Sequence, residues 1–165
     1  ASDELLEAHE EGDVRLDTWT ATTRSGAPGT VYRSNKWLGA KGDFLQNLPI
    51  IRAAELYLIR AEARYRTGDA AGARADLSAL RSKRGLDAVA ADVVGDALFN
   101  LILNERRVEF SLEGHRWFDL KRYGKDVIKT NPVVNLTFDD FKILPPIPQR
   151  EVQTSAGLIT QNTGY

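Results

Sequence analysis

The chain has 165 residues, long enough for one domain with a substantial core, and its hydrophobic content of 42% and charged content of 27% are ordinary for a globular protein. Its formal net charge is −1, from 22 basic and 23 acidic residues, which argues against a nucleic-acid-binding protein because such proteins carry a basic excess. Cysteine is absent, which excludes disulfides, thiolate chemistry and cysteine-based zinc sites.

The sequence shows no pattern of a membrane span, a signal peptide or a metal site. No apolar run reaches the roughly 18 residues that a membrane-spanning helix needs, and the first residues, ASDELLEAHEEG, are polar and acidic. The two histidines, His9 and His115, lie far apart in sequence, so we expect no histidine-rich metal site. Methionine is also absent, from which we expect a processed form or an excised fragment of a longer protein.

Residues 1–48 are the least regular part of the chain. Partly alternating apolar and polar residues over 14–23 predict a half-buried strand, and the SGAPG sequence over 25–29 predicts a turn. The other predicted elements of this part are a short helix over 4–11, a second strand or extended segment over 30–38, and a loop over 39–43.

Residues 49–84 predict two helices that form an antiparallel hairpin. The first runs over 49–66 with Pro49 in its first turn, where a backbone N–H is not needed, and the second runs over 70–84 and ends at Gly85. The expected core-facing residues are Ile50, Ala54, Tyr57, Ala61 and Tyr65 in the first helix and Ala70, Ala73, Leu77 and Leu80 in the second.

This helix pair resembles one tetratricopeptide unit. Tyr57 stands where that repeat has its Trp, Ala61 stands at its small position and Gly68 at its turn, whereas Arg60 and Arg64 replace an expected Leu and Tyr. Because stacked repeats need about three or more units for stability, we expect the neighbours of this pair in other helices of the chain or outside it.

A third helix is predicted over 96–113 and a fourth over 116–123, separated by Gly114, which adopts the left-handed conformation of a helix end easily. Residues 125–165 are predicted to be loop-rich. The apolar face of the third helix comprises Leu98, Leu101, Ile102, Val108 and Leu112.

Three glutamates, Glu105, Glu109 and Glu113, follow one another at intervals of four residues on the third helix. A carboxylate pair at such spacing is about 6 Å apart, which suits glycoside hydrolysis. The alternative is that the glutamates form ion pairs with neighbouring arginines. Because Glu105 shares a face with apolar residues, we interpret it as a partly buried carboxylate held by an arginine. The candidate ion-pair partners are Arg106, Arg107 and Arg116.

The segment EGHRWFDL, residues 113–120, joins the third and fourth helices. We interpret Trp117, Phe118 and Leu120 as packing residues of this junction, and an aromatic ligand platform at Trp117 is the alternative. His115 has no second ligand or nucleophile nearby, and the chain has no G-x-S-x-G elbow and no glycine-rich phosphate loop. Hydrolase chemistry therefore has little support.

Three other aromatic residues, Trp19, Tyr32 and Trp37, lie in strand-like or loop-like segments that are rich in polar residues. An aromatic ring packs well on the apolar C–H face of a pyranose, while neighbouring polar groups bind the sugar hydroxyls. These residues are our candidate ligand-binding residues. The alternative is that each simply contributes to the core of a half-buried strand.

Several motifs together resemble the C-terminal part of the SusD-like (RagB/SusD) family. Their order and spacing are specific, although each one alone is weak. The motifs are GDVRLD at 12–17, SNKW at 34–37, LPIIRAAELYLIRAEA at 48–63, DLSALRSKRGL at 76–86, ERRVEF and EGHRWFDLKRYG within 105–124, and LPPIPQREV and LITQNTGY at the end, with Leu77-Ser78 in place of the usual Leu-Asn.

The resemblance implies a nutrient-binding lipoprotein on the outer membrane of Bacteroidetes-type bacteria. Members of the family are not enzymes: they sit over a SusC-like TonB-dependent transporter and pass it oligosaccharides or, in some cases, peptides. A lipidated N-terminal cysteine, absent from this chain, anchors them at the cell surface. In the family, much of the ligand surface comes from segments upstream of this region and from variable loops.

We therefore expect a mainly α fold with tetratricopeptide-like helix pairs, loop-rich segments and minor β structure. The expected organisation is one SusD-like C-terminal domain over 1–165, irregular over 1–48, helical over 49–124 and loop-rich over 125–165. The expected function is non-catalytic binding of oligosaccharides or polysaccharides, without a metal or a cofactor and without nucleic acid. The alternatives are a helical-repeat interaction module, a peptide-binding SusD-like protein, and a glycoside hydrolase that uses Glu105 and Glu109.

Overall fold

A computed structural model of the protein describes residues 2–23, 25–26, 29–37, 42, 45, 47, 49–130 and 133–165. The chain divides into two compact units, Ala1–Glu113 (the N-terminal unit) and Gly114–Tyr165 (the C-terminal unit). The expectation of a single domain over 1–165 stays a prediction. The helices are α1 Asp3–Leu6, α2 Ala53–Arg66, α3 Ala70–Ser82, α4 Gly95–Glu109, α5 His115–Arg122 and α6 Gln149–Thr154, and the strands are β1 Trp19–Thr23, β2 Thr30–Ser34, β3 Val127–Thr130 and β4 Val133–Leu136.

The helical core of the N-terminal unit confirms the predicted mainly α fold. Helices α2 and α3 form the expected antiparallel hairpin, with Gly68 at a φ of +85° in the turn and the Asp69 carboxylate accepting a hydrogen bond from the Gly72 N–H at the start of α3. Helix α4 packs against both. Fully or nearly fully buried apolar residues of this core are Leu58, Ala61, Ala73, Leu77, Leu80, Leu98, Ile102 and Phe110.

The two arginines that depart from the tetratricopeptide pattern have a clear structural role. Arg60 Nη2 lies 2.6 Å from Asp76 Oδ1, and Arg64 Nη1 lies 2.9 Å from Asp76 Oδ2. Asp76 is buried on α3. An ion pair between the two helices therefore replaces part of the apolar contact that the repeat pattern predicts.

Helix α2 begins at Ala53, not at Pro49, and its buried face differs from the prediction. Arg52 is extended, with φ −123° and ψ 147°, so the helix starts after it. The predicted core residue Ile50 is 89% exposed, and Tyr57 is also exposed, while Leu58, one position further, is fully buried. Ala54 and Ala61 are buried as expected, so the true stripe is shifted by one residue at its centre.

Helix α4 ends at Glu109, four residues earlier than predicted. The backbone then turns, with the Glu113 N–H donating to the Phe110 carbonyl at 3.0 Å. Leu112 has a positive φ of 66° and an exposed side chain, so it was wrongly assigned to the apolar face. Gly114 adopts the left-handed conformation just before α5, as predicted.

The first part of the N-terminal unit is only partly the predicted one. Helix α1 is shorter than the expected helix over 4–11, and residues Val14–Thr18 form a 3-10 helix, so only the second half of the predicted strand is a strand. Strands β1 and β2 pair antiparallel, from Trp19 opposite Ser34 to Thr23 opposite Thr30. Part of the predicted turn over 25–29 and most of the predicted loop over 39–43 lie outside the described residues.

The C-terminal unit contains a second antiparallel pair, β3 and β4, in a region that was expected to be loop-rich. Its small core is formed by Leu120, Val127, Ile143 and Leu136. The Gln161 side chain accepts from the Ile147 N–H at 2.7 Å and donates to the Ile147 carbonyl at 2.9 Å. Hydrogen bonds between Gln161 and Ile147 therefore join the segments LPPIP and QNTGY within the C-terminal unit.

Candidate functional site

The antiparallel pair of β1 and β2 (the aromatic hairpin, residues 19–37 with the turn that follows β2) carries all three predicted ligand-binding residues. In the register, Trp19 lies opposite Ser34 and Ala21 lies opposite Tyr32, so Trp19 and Tyr32 are on the same face of the hairpin. Trp37 follows β2 in a turn. All three side chains are half-buried, and their part in ligand binding stays a prediction.

The surroundings of Trp19 and Trp37 differ. The Trp19 Nε1–H is buried and has no hydrogen-bond partner among the residues that the structure describes. The Lys36 Nζ lies 5.5 Å from the centre of the Trp37 ring, within reach of a cation–π interaction. Asn35 Nδ2 donates to Thr20 Oγ1 at 2.5 Å, and because Thr20 alternates with Trp19 along β1, this contact lies on the face of the hairpin opposite Trp19 and Tyr32.

A cluster of ion pairs (the α4 ion-pair network) surrounds the end of helix α4. Its centre is Glu109, whose side chain is only 3% exposed. The Glu109 carboxylate lies 2.6 Å from Arg52 Nη1, 2.8 Å from Arg84 Nη2 and 3.1 Å from Arg15 Nη1. Arg15 is 94 residues away in sequence, so this contact is a product of the tertiary fold.

The other two glutamates of the predicted trio belong to the same network. Glu105 lies 2.6 Å from Arg15 Nη1 and 3.4 Å from Arg81 Nη1. Glu113 lies 2.6 Å from Lys36 Nζ and 2.7 Å from Arg52 Nη2. The prediction that Glu105 is a buried carboxylate held by an arginine is therefore confirmed, with partners from distant segments of the chain.

The network changes the acidity of its members. Burial alone raises the pKa of Glu109, but hydrogen bonds from Arg84 and Arg52, together with their charges, outweigh it and lower the pKa to about 2. Burial also raises the pKa of Glu113, and Arg52 and Lys36 likewise reverse the effect, so its pKa is lowered. A general acid needs a carboxyl group that is protonated near neutral pH. These carboxylates are held in the opposite state.

A pocket of about 220 Å³ lies beside the network in the N-terminal unit. The basic side chains in its wall are already engaged: Lys36 Nζ, for example, donates to the carbonyls of Glu109 and Ser111 and pairs with Glu113. The described residues contain no group of three or more His, Asp or Glu that suits a metal ion. The lining residues are His9, Val14, Arg15, Thr18, Lys36, Arg52, Arg84, Val108, Glu109 and Ser111.

The alternative platform at Trp117 belongs to the C-terminal unit. Trp117 is 37% exposed on α5 and Phe118 is 69% exposed, so Phe118 is not the packing residue that was expected. Leu120 is buried with Val127 and Ile143, and the buried Asp119 pairs with Arg122 at 3.1 Å. Packing of this segment thus depends on Leu120 and Asp119.

The basic residues of the α4 ion-pair network were not predicted from the sequence. A signal for them was present, because each basic member stands in one of the motifs described above: Arg15 in GDVRLD, Lys36 in SNKW, Arg52 in LPIIR, and Arg81 and Arg84 in RSKRGL. The acidic members stand in the motif that begins ERRVEF. Opposite charges distributed over separate motifs indicate that the motifs meet in the fold.

The chain is similar in sequence and in fold to known SusD-like proteins. The SusD-like protein P38 of Formosa agariphila is 37% identical over 127 residues, which cover 72% of this chain and 25% of that protein. A SusD superfamily protein from Bacteroides thetaiotaomicron has a TM-score of 0.79 at 27% identity and is covered over 39% of its length by 96% of this chain. A Bacteroides vulgatus protein named for sugar binding has a TM-score of 0.72 at 28% identity, with coverage of 98% of this chain and 38% of that one.

The chain thus spans about a quarter of the length of the curated relative and about two fifths of the length of the solved structures. The sequence model of the SusD family matches residues 17–165, which include most of the N-terminal unit, the whole C-terminal unit and all the helices and strands from β1 onward. On this match the chain belongs to the SusD family.

Proposed function

We propose that the protein binds a glycan without catalysis and takes part in nutrient capture at the cell surface. The observation that carries the proposal is the aromatic hairpin in a chain that belongs to the SusD family. Trp19 and Tyr32 lie on one face of the hairpin, and Trp37 follows the second strand. Half-buried rings, with the hydroxyl-bearing Ser34 directly opposite Trp19, suit the two faces of a sugar ring, one apolar and one polar.

The chemistry of the three glutamates supports binding over hydrolysis. Glu105 and Glu109 are each engaged by two or more basic side chains, and arginines hold the pKa of Glu109 at about 2. Both carboxylates are only 3% exposed at the side chain and are bound to arginines, which disfavours their use as the acid and nucleophile of a glycosidase. This arrangement supports a non-catalytic role.

Delivery of the glycan to a SusC-like TonB-dependent transporter, and a lipid anchor in the outer membrane, complete the proposal. Both come from the family resemblance. No helix in the described part of the chain combines the length and apolar character of a membrane span. Attachment through a lipid on another part of a longer protein is consistent with that finding.

The experiment is isothermal titration calorimetry of this chain, and of the longer protein that we expect to carry it, against plant, host and microbial glycans. Binding by both places the site within these 165 residues. Binding by the longer protein alone contradicts the assignment to the aromatic hairpin. Absence of binding by both contradicts a glycan ligand from the panel and favours the peptide-binding alternative, which the same instrument tests with a peptide library.

One observation favours a second function, a helical interaction module. Leu56 and Ile59 lie one turn apart on α2 and are 61% and 51% exposed, so part of the outer surface of this helix is apolar. If the protein is such a module, we expect Leu56→Asp and Ile59→Asp to abolish binding of a protein partner and to leave glycan affinity unchanged.

A further inference from the structure

The aromatic hairpin contributes almost nothing to the apolar core of the N-terminal unit. No described residue of 19–37 belongs to the core cluster formed by α2, α3 and α4, and most side chains of β1 are exposed. A two-stranded hairpin is at best marginally stable alone. Its position must therefore depend on other contacts, and the structure places charged contacts at both of its ends.

The first contact lies just before β1. Arg15 belongs to the 3-10 helix Val14–Thr18, and its Nη1 atom reaches both Glu105, at 2.6 Å, and Glu109, at 3.1 Å. The Asp13 carboxylate orients the Arg15 guanidinium by accepting hydrogen bonds from Arg15 Nε, at 2.9 Å, and from Arg15 Nη2, at 2.8 Å. The Thr18 hydroxyl donates to the Arg15 carbonyl at 2.7 Å, so the chain that enters β1 is fixed to helix α4.

The second contact lies just after β2. Lys36 Nζ donates to the Glu109 carbonyl at 2.7 Å and to the Ser111 carbonyl at 2.9 Å, and it lies 2.6 Å from the Glu113 carboxylate. The ammonium group thus uses all three of its donors on the end of α4 and the turn that follows it. The Asn35 N–H donates to the Thr18 carbonyl at 2.6 Å, which joins the two ends of the hairpin.

We propose that Arg15 and Lys36 are positioning residues for ligand recognition: they hold the aromatic hairpin on the end of helix α4 without touching the ligand. This inference rests on the proposed function in that the hairpin is taken as the ligand-binding element. Trp19 stands four residues after Arg15 in the sequence, and Trp37 follows Lys36 directly. Releasing either end therefore moves a tryptophan.

The network also makes the inference testable, because it tolerates the loss of Lys36. Glu113 keeps Arg52 as a partner, at 2.7 Å, and Glu109 keeps Arg52 and Arg84. No buried carboxylate is left without a cation in a Lys36→Met variant, so the helical core is expected to remain folded. The loss is limited to the attachment of the hairpin.

The experiment is hydrogen–deuterium exchange of the chain, read separately over residues 19–37 and over helices α2 and α3. In Lys36→Met we expect exchange over 19–37 to become about fivefold faster or more, with exchange in α2 and α3 unchanged. The matched control is Lys83→Met, the same change at an exposed lysine, for which both regions keep their wild-type exchange. Unchanged exchange over 19–37 in Lys36→Met overturns the inference.

Two further variants separate positioning from general loss of structure. Lys36→Arg keeps the charge and is therefore expected to keep most of the wild-type protection against exchange over residues 19–37. Arg15→Lys keeps the charge but cannot contact Asp13, Glu105 and Glu109 together, and is expected to loosen the hairpin from its other end. Wild-type exchange over 19–37 in Arg15→Lys would show that Arg15 does not anchor the hairpin.

Glycan affinity supplies the second readout and keeps the two proposals distinguishable. For a glycan that the wild type binds, a looser hairpin in Lys36→Met with weaker affinity supports the inference, and a looser hairpin with unchanged affinity overturns it. If neither the wild-type chain nor the longer protein binds a glycan of the panel, the proposed function is contradicted. The anchoring of the hairpin is then decided by the exchange measurement alone.

Discussion

At the scale of single residues, the charged side chains around α4 determine how this protein responds to mutation and pH. Burying charges is costly, and removing one partner of a buried pair costs more than the pair contributes, because the remaining charge is left without compensation. Glu105 and Glu109 are both 3% exposed at the side chain. Substitutions of these two glutamates should therefore lower the free energy of unfolding more than substitutions of surface glutamates.

We predict that Glu105→Gln lowers stability. The neutral amide removes one anion from Arg15 and Arg81, although Arg15 keeps Asp13 and Glu109 and Arg81 keeps Glu10, so a loss of about 1–3 kcal/mol in the free energy of unfolding is expected. Urea denaturation followed by circular dichroism measures it. The control is Glu11→Gln, a substitution at an exposed residue, for which a change within about 0.5 kcal/mol is expected.

The hydrolase alternative makes the opposite prediction for the same variant. If Glu105 were catalytic, Glu105→Gln would retain the melting temperature of the wild type and lose glycan turnover. That outcome would contradict both the structural role of Glu105 and the proposed non-catalytic function.

We also predict a loss of stability in acid. The pKa of Glu109 is lowered to about 2 in the folded protein from an ordinary value near 4.5, so the unfolded chain binds protons more readily. The stabilisation is fully present above about pH 4.5 and disappears as the pH falls toward 2, and Glu109 alone contributes on the order of 3 kcal/mol. The lowered pKa values of Glu10 and Glu113 act in the same direction.

Urea denaturation at pH 6, 4 and 3 tests this prediction. The wild type should lose stability steadily between pH 5 and pH 3. In Glu109→Gln the slope should be clearly smaller, because the group that titrates is gone. Equal slopes in the two proteins would show that Glu109 is not the source of the acid sensitivity.

At the scale of elements, the helices were predictable and their ends were not. Apolar periodicity identified α2, α3 and α4 because these helices bury one face against each other. The start of α2 was missed because Arg52 is held extended by contacts to Glu109 and Glu113, which no local pattern reveals. Likewise α4 ends at Glu109, where Lys36 takes the carbonyl oxygens of Glu109 and Ser111.

The shifted face of α2 yields a prediction with an internal control. Leu58 is fully buried against α3 and α4, and Leu56 on the same helix is 61% exposed. We expect Leu58→Ala to cost about 2–5 kcal/mol in the free energy of unfolding, and Leu56→Ala to change it by less than about 1 kcal/mol. Similar effects of the two substitutions, measured by thermal denaturation, would contradict the assigned core.

At the scale of the whole molecule, a chain with a net charge of −1 concentrates opposite charges in one place. Motifs far apart in sequence each supply members of the α4 ion-pair network, from Asp13 and Arg15 to Glu113. Composition and periodicity predicted the fold class, and motif order predicted the family. The convergence of these charges was not predictable, because it depends on the tertiary contacts that bring residues 15 and 109 together.

The candidate site, too, was only partly predictable from the sequence. The sequence identified Trp19, Tyr32 and Trp37 from their residue types and polar surroundings, and the structure adds that the first two share one face of a hairpin. Which residues hold that hairpin in place emerged only from the ion pairs of Arg15 and Lys36. In our proposal, recognition and positioning belong to different residue types that are close in sequence: Arg15 stands four residues before Trp19, and Lys36 stands directly before Trp37.

The most direct test is isothermal titration calorimetry with the best glycan of the panel on the wild type, Trp19→Ala, Trp37→Ala and Trp117→Ala. Loss of a ring stacked on a sugar is expected to weaken affinity about 2- to 10-fold or more. The account predicts this loss for Trp37→Ala and wild-type affinity for Trp117→Ala. Unchanged affinity in Trp37→Ala and in Trp19→Ala, or loss confined to Trp117→Ala, would contradict it.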